Sequence, residues 1–294
     1  MNSFYELSAR GRIEVTGEDR ARLLHAMTTN HVQGLQSGQG LYAFFLSAQG
    51  RIQADAVVLC FADRLLLDTE PESRAFLLEH LDRYIIADDA TLEDVTESTF
   101  CLEVEHPESN LSPFSHSTVD GITTAAVSAT GAPSVRYYGP ITAKAALLAR
   151  LAATGAVPAT AEQLEAARIS HFVPRFGTDI TDATLPQETQ LTHALHFQKG
   201  CYLGQEIVER VRSRGHVNRQ LMGFRMAGHH APQAGAILTS CGKETGEVTS
   251  AAVLSDGVAG IAMVRVPHNK PGEVVGIDGR PAELFHPAVP SGIL

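Results

Sequence analysis

The last third of the chain carries the pattern that limits the fold most. After about residue 218, short apolar segments follow one another at close spacing, with glycine-containing turns between them and no helical periodicity. Short strands spaced in this way are typical of a small antiparallel barrel or sandwich. The segments are QLMGFRMAG, GAILTS, GEVTSAAVL, GIAMVRV and EVVGIDG. We therefore expect residues 216–294 to form a separate all-β domain.

Residues 1–215 mix helix and strand patterns. The segments EDRARLLHAMTTNHV and ESRAFLLEHLDRYII place leucines at helical spacing. Between them, LYAFFLSAQGRIQADAVVLCFADRLLLDT reads as three strands divided by turns, which is typical of an antiparallel meander. Residues 106–120 are polar and predict a loop. The sequence thus predicts an α+β N-terminal domain, residues 1–215, followed by the β-domain.

Composition and charge exclude some classes of protein. The chain has 294 residues, and its 33 acidic residues against 23 basic ones give a formal charge of −10. This balance disfavours direct nucleic-acid binding, which depends on lysine and arginine neutralising phosphates. No apolar run approaches the roughly 20 residues of a membrane helix, and the start of the chain lacks a signal-peptide pattern. Four scattered cysteines fit a reducing compartment, so we expect a cytoplasmic protein with no membrane contact.

One cysteine has a chemically distinctive setting. In FQKGCYLGQEIVERVRSRG, Cys201 lies between Gly200 and Gly204, and the residues that follow predict a short helix. Cys201 would then lie at or just before the helix N-terminus, with Lys199 nearby, and both features favour a thiolate. Such a thiolate can be a nucleophile, a metal ligand or a redox site. The spacing is equally consistent with a structural turn in which the small side chain fills a gap.

The arginines after Cys201 are similarly ambiguous. They could bind an anionic ligand tail or RNA phosphate, or they could form a solvated helix face paired with glutamates. Spacing alone favours the solvated face. The residues are Arg210, Arg212, Arg214 and Arg219.

Two further pairs are weaker candidates. His193 and His196 stand three apart and could share a metal, although packing is the simpler interpretation because no further ligand follows at a recognised spacing. Asp179 and Asp182 could bind a polar ligand or cap a turn.

The motif K-G-C-Y-x-G-Q-E, from Lys199 to Glu206 and followed by R-x-x-x-R-G, resembles the signature of the YgfZ-type folate-binding proteins. These belong to the superfamily of the glycine-cleavage aminomethyltransferase. The segments VTGEDRARLLHAMTTNHVQGLQSGQG, VPRFGTDITDATLPQE and GEVTSAAVLSDGVAGIAMVRV extend the resemblance over nearly the whole chain. The resemblance implies a three-lobed fold around a central channel, with two α+β lobes and a C-terminal antiparallel β-barrel. It also implies that the channel binds tetrahydrofolate or a related reduced folate.

The resemblance further implies a function and a set of site residues. The function is support of iron–sulfur cluster assembly or repair, including for enzymes that thiolate tRNA, with iron–sulfur enzymes or cluster carriers as partners. Cys201 is the functional thiolate, with Lys199 beside it, and we expect its sulfur to open onto the channel. The implied folate-binding residues are Asn30, Arg168, Ser170, Asp179, Tyr202, Gln205 and Glu206, and the implied anion-binding residues are Arg210 and Arg214. Ser170 stands where many superfamily members carry a glutamate that bonds the pterin.

A tetrahydrofolate-dependent one-carbon transferase is the alternative. The superfamily fold motivates it, but LDTEPESRAF lacks the Lys-Asp pair that those enzymes carry, and they lack the cysteine motif. An RNA-binding protein that uses Arg210 to Arg219 is a third hypothesis, and the charge of −10 counts against it. A single cysteine is too few for the usual four-cysteine ligation of a cluster, so any cluster would share ligands with a partner.

Overall fold

Three sheets form the protein. The computed structural model describes residues 3–105 and 111–286, except for the side chain of Arg214. Within those residues there are two open sheets and one closed barrel, which agrees with the α+β fold and C-terminal antiparallel β-barrel that the family resemblance implied. None of the helices in these ranges is both long enough and apolar enough to cross a membrane.

The first sheet has five strands in the spatial order β3-β4-β5-β2-β6. All of its neighbours pair antiparallel, so the predicted meander of β3, β4 and β5 is confirmed. The strands are β2 (Gly11–Thr16), β3 (Gly40–Leu46), β4 (Ile52–Cys60), β5 (Leu65–Thr69) and β6 (Thr91–Asp94). One face of this sheet packs against helices α1 (Arg20–Met27) and α2 (Arg74–Asp82), where Leu24 and Leu77 are fully buried.

The second sheet has six strands in the order β11-β1-β7-β10-β9-β8. The strands are β1 (Ser3–Glu6), β7 (Thr99–Glu105), β8 (His116–Val119), β9 (Ile122–Ala125), β10 (Ser134–Pro140) and β11 (Val157–Pro158). Strand β8 lies in the segment expected to be a loop, because its polar side chains belong to an exposed edge strand that the apolar pattern does not mark. Residues 106–110 of that segment lie outside the described residues.

Helices α3 (Lys144–Ala153) and α4 (Ala161–Ser170) follow the second sheet. Thr160 begins α4 with a capping box, in which its hydroxyl accepts from the Gln163 amide and the Gln163 side chain accepts from the Thr160 amide. Helix α4 packs against the barrel as well as the sheet. A long irregular segment then leads to α5 (Gln205–Arg214), which ends at Gly215 in the left-handed conformation.

The barrel closes in the order β12-β15-β14-β13-β16-β17. Its strands are β12 (Arg219–Met226), β13 (Ile237–Ser240), β14 (Lys243–Leu254), β15 (Gly257–Arg265), β16 (Val274–Ile277) and β17 (Arg280–Phe285). The sequence patterns predicted the first five. Strand β17 was missed because Pro281 argues against a strand interior. The domain boundary between residues 215 and 216 stays a prediction.

Candidate functional site

A cavity of about 610 Å³ lies between the two sheets and the segment that includes α4 and the loop after it. This volume is in the range of small-molecule sites, which are mostly apolar with a few polar groups. Its apolar wall includes side chains from β3, β4, the linkers of the second sheet, α4 and the segment after α4, namely Tyr42, Val57, Phe114, Val127, Leu164, Phe172 and Leu191.

The four arginines that line the cavity are all paired with carboxylates. The pairs are Arg10 with Asp68 and Glu70, Arg136 with Asp68 and Glu103, Arg168 with Glu165 and Asp179, and Arg175 with Glu70 and Glu72. These positive charges are therefore already balanced by neighbouring side chains. Because the arginines are already paired, polar groups other than these arginines would have to recognise a ligand in the cavity.

Among the described carboxyl groups of the cavity wall, Asp55 is the one without an ion pair. It lies on β4 and is 6% exposed, and its Oδ2 accepts a hydrogen bond of 2.6 Å from the Tyr42 hydroxyl. Within the described residues, Oδ1 has no hydrogen-bond partner. Burial raises the pKa of Asp55 to about 7, and the Glu70 carboxylate adds to the rise. Asp55 can thus exchange a proton near neutral pH.

The sequence interpretation missed Asp55 because it reads as one residue of an apolar strand. A signal was present in QADAVV, since an acidic residue is rarely fully buried without a partner. The alternation of strand side chains places Asp55 on the same face as Val57, and both line the cavity.

Asn30 does not line the cavity, but it holds two residues of the cavity wall by hydrogen bonds. Its Nδ2 donates to the backbone oxygens of Tyr42 at 2.9 Å and His193 at 2.8 Å, and its Oδ1 accepts from the His31 amide. Both donors of the amide are therefore used within the protein. The structure assigns Asn30 to the support of two cavity residues, whereas its predicted contact with folate is not visible.

Arg168 and Asp179 also serve the scaffold. Arg168 lines the cavity, but its guanidinium donates to Asp179 at 2.7 Å, to the Val173 oxygen and to Glu165. Asp179 is 2% exposed and does not line the cavity. The predicted role of Asp179 in holding a ligand is not supported by this position, because its oxygens are used in contacts within the protein.

Ser170 is turned away from the cavity. Its hydroxyl donates to the Ala167 oxygen at 2.8 Å, which is a bond back into its own helix. Ser170 is absent from the cavity lining. The position that carries a glutamate in many superfamily members therefore provides no polar group to the cavity in this chain.

The loop that carries Cys201 is held by Lys199. The Lys199 ammonium is buried and donates to the backbone oxygens of His25 and, at 2.8 Å, of Thr28, which lie at the C-terminal end of α1. His25 Nε2 bonds the Lys199 oxygen at 2.7 Å. Burial lowers the pKa of Lys199 to about 8, and the charge of Cys201 acts in the opposite direction. Lys199 thus fixes the backbone from which Cys201 projects.

Cys201 itself is exposed, and it lies outside the cavity lining. The expectation that its sulfur opens onto the channel is not supported by the lining of this cavity and stays a prediction. It also lies three residues before Gly204, the N-cap of α5, so it is not in the first turn of that helix. Gly200 and Gly204 have φ values of +94° and +83°, which explains why glycine occupies both positions.

The remaining predicted residues surround this loop. The Tyr202 ring lies 4.4 Å from the Lys199 ammonium, Gln205 begins α5, and Glu206 is exposed. None of the three lines the cavity. They surround the cysteine loop, and their predicted binding to folate stays a prediction without a cavity contact to support it.

The arginine group is partly paired. Arg212 pairs with Glu209 at 3.4 Å and Arg219 with Glu188 at 3.0 Å, while Arg210 is exposed. The side chain of Arg214 lies outside the described residues. These contacts fit the solvated helix face, and anion binding by Arg210 and Arg214 stays a prediction.

The chain resembles known proteins in both its fold and its sequence. The whole chain superposes on the glycine cleavage system aminomethyltransferase T of Bartonella henselae, with a TM-score of 0.88 over 98% of this chain and 86% of that one, at 19% identity. Residues 2–120 match the GCVT N-terminal domain family. The N-terminal part of the chain is therefore similar to the GCVT N-terminal domain, and the fold of the chain is that of the aminomethyltransferase.

Three curated proteins with different names are similar to this chain. An aminomethyltransferase of Rubrobacter xylanophilus is 25% identical over 90% of this chain and 75% of its own length. A mitochondrial iron–sulfur cluster assembly factor IBA57 homologue of Mycosarcoma maydis is 26% identical over 76% of this chain and 57% of its own. A chloroplastic protein of Arabidopsis thaliana, named as a transferase, is 27% identical over 83% of this chain and 60% of its own. The chain thus spans about 60% of the length of this plant relative.

Proposed function

We propose that this protein is a folate-binding accessory factor that supports iron–sulfur cluster assembly or repair and acts through Cys201. The exposure of Cys201 on a loop held by buried Lys199 is the observation that carries the proposal. A thiol that must reach a cluster on another protein has to be accessible and fixed in position. The similarity to assembly factors of the IBA57 type supports the same function.

The number of cysteine ligands that an iron–sulfur cluster needs indicates the kind of partner protein. Cys201 lies on a surface loop, and clusters usually need four cysteine ligands. The cluster is therefore the cargo of a carrier or enzyme that supplies the remaining ligands, and Cys201 contacts it during delivery or repair. We propose a YgfZ-type role in the cytoplasm, in which the clients include enzymes that thiolate tRNA.

The cavity fits a reduced folate. Its volume of about 610 Å³, its aromatic wall and the free oxygen of Asp55 suit a flat ring system that carries N–H donors. Asp55, Tyr42 and His193 would hold the ring. When bound, a reduced folate supplies a carrier for a one-carbon group. Asp55 holds or releases a proton beside it, and the buried wall excludes water.

The test is complementation in cells that lack this protein. Wild-type protein restores the activity of iron–sulfur enzymes, and Cys201→Ser does not. Cys241→Ser is the matched control, because Cys241 is also exposed but lies in a barrel turn. Full rescue by Cys201→Ser, at equal protein level, would refute the proposal.

A second candidate is a tetrahydrofolate-dependent one-carbon transferase. Asp55 favours it, because a buried carboxyl group with a pKa near neutrality is suited to general acid–base chemistry. The similarity to aminomethyltransferases supports it as well. The two candidates differ in which residue is essential. Turnover of an aminomethylated carrier protein that is lost in Asp55→Asn and kept in Cys201→Ser would favour the transferase.

A further inference from the structure

His193 lies in the cavity wall on the irregular segment between α4 and α5. Its ring centroid is 5.6 Å from that of Tyr42 and 6.2 Å from that of Phe114, so three aromatic rings line one part of the cavity. The Asn30 side chain holds the His193 backbone by a bond of 2.8 Å. The hydrogen bond from Asn30 to the His193 backbone and the contacts with the Tyr42 and Phe114 rings therefore fix the position of the His193 ring.

The ring nitrogens of His193 have no hydrogen-bond partner within residues 3–105 and 111–286. Neither nitrogen is fully enclosed by protein atoms, so both retain access to solvent. Burial lowers the pKa of His193 to about 4, which keeps the imidazole neutral at physiological pH. A neutral imidazole has one N–H donor and one acceptor nitrogen, and here both are free to bond a ligand.

Tyr42 connects His193 with Asp55, another polar group of the wall that has an unpaired atom. Its hydroxyl donates to Asp55 Oδ2, while its ring faces the His193 ring. The cavity thus offers a carboxyl oxygen and an imidazole that both contact one aromatic side chain, Tyr42. This arrangement matches a flat heterocycle with donors and acceptors on its edges.

We propose that His193 is the residue that determines specificity for the heterocyclic ring of the ligand, by one hydrogen bond from its imidazole. The inference rests on the proposed folate site and names a contact within it. Ser170 provides no polar group to the cavity, whereas Asp55 and His193 each present an unpaired polar atom beside the Tyr42 ring. Tyr42 and Phe114 pack against the ring, and this apolar contact does not discriminate between ligands that differ in their polar atoms.

The test measures the dissociation constant of 5-formyltetrahydrofolate by titration calorimetry. His193→Phe keeps an aromatic ring but removes both nitrogens, and we expect binding to weaken about tenfold, the effect of one hydrogen bond of about 1.4 kcal/mol. His193→Gln retains a donor and an acceptor and should recover part of the affinity. His196→Phe is the matched control, because the His196 ring packs on His31, 5.1 Å between centroids, and does not line the cavity.

NMR spectroscopy distinguishes a hydrogen bond between His193 and the ligand from packing of the His193 ring alone. Imidazole ¹⁵N spectra of the wild type, in which His193 is identified by the resonances missing from His193→Phe, should show a shift of a His193 nitrogen on saturation with 5-formyltetrahydrofolate. Equal affinity of wild type and His193→Phe, or no shift at saturation, would overturn the inference and leave the folate site intact. No binding of the probe by the wild type would overturn both.

Discussion

Arg168 and Asp179 form a buried ion pair of 2.7 Å that joins α4 to the barrel. The second oxygen of Asp179 accepts hydrogen bonds from the hydroxyls of Thr249 at 2.5 Å and Ser250 at 2.6 Å, both on β14. One carboxylate thus connects the N-terminal region, through Arg168, with the C-terminal barrel. The family resemblance implied that Arg168 and Asp179 bind folate, whereas in the structure their contacts link α4 to the barrel.

Loss of one member of this pair should destabilise the protein strongly. Arg168→Met leaves Asp179 buried without its cation, and we expect the free energy of unfolding to fall by about 3–5 kcal/mol. The double variant Arg168→Met/Asp179→Leu should recover part of this loss, because no unpaired charge remains. Urea denaturation measures both changes. A loss below about 1 kcal/mol for Arg168→Met would contradict the assigned role.

The elements of the fold could largely be predicted from the sequence, whereas the site could not. Helix periodicity and glycine turns are local signals, so α5 and five of the barrel strands were predicted near their observed positions. The roles of Asp179 and Lys199 depend on partners that lie far away in the chain, at Ser250 and Thr28. No local pattern contains these contacts. The channel that the family resemblance implied beside Cys201 is likewise not seen in the cavity lining, which does not include this residue.

Gly200 and Gly204 should differ in their tolerance of alanine. Both have positive φ, but a Cβ at Gly204 would lie 2.6 Å from the Ser47 oxygen, while one at Gly200 would meet nothing within 4 Å. Gly204→Ala adds a backbone clash to the conformational strain, and we expect a loss of about 3 kcal/mol or more. Gly200→Ala should lose only about 1 kcal/mol. Thermal unfolding of the two variants measures the difference, and equal losses would count against this geometry.

Asp55 should make the stability of the protein depend on pH. Its pKa of about 7 lies above the value of about 3.9 in the unfolded chain, so the folded state binds more protons between these values. The stabilisation is complete below about pH 4 and is lost as the pH rises through 7. Asp55→Asn removes this contribution, and the variant should gain stability relative to wild type from pH 5 to pH 8, by at most about 4 kcal/mol. A constant difference across that range, measured by denaturation at each pH, would refute the raised pKa.

Lys199 should stabilise the loop that carries Cys201. Lys199→Met keeps the length of the side chain but leaves the backbone oxygens of His25 and Thr28 without their donor. We expect the free energy of unfolding to fall by about 2–3 kcal/mol, since buried acceptors lose a charged partner. Lys270→Met, at an exposed position, should change it by less than about 0.5 kcal/mol. Equal stability of the two variants would show that the Lys199 contacts contribute little.

The separation of the ligand cavity from Cys201 is the central claim, and an anaerobic titration of tetrahydrofolate tests it most directly. Calorimetry should show one ligand bound per chain in the wild type, weaker binding in Asp55→Asn and unchanged binding in Cys201→Ser, because Asp55 lines the cavity and Cys201 does not. No binding by the wild type, or binding that is lost in Cys201→Ser while the fold is intact, would contradict it.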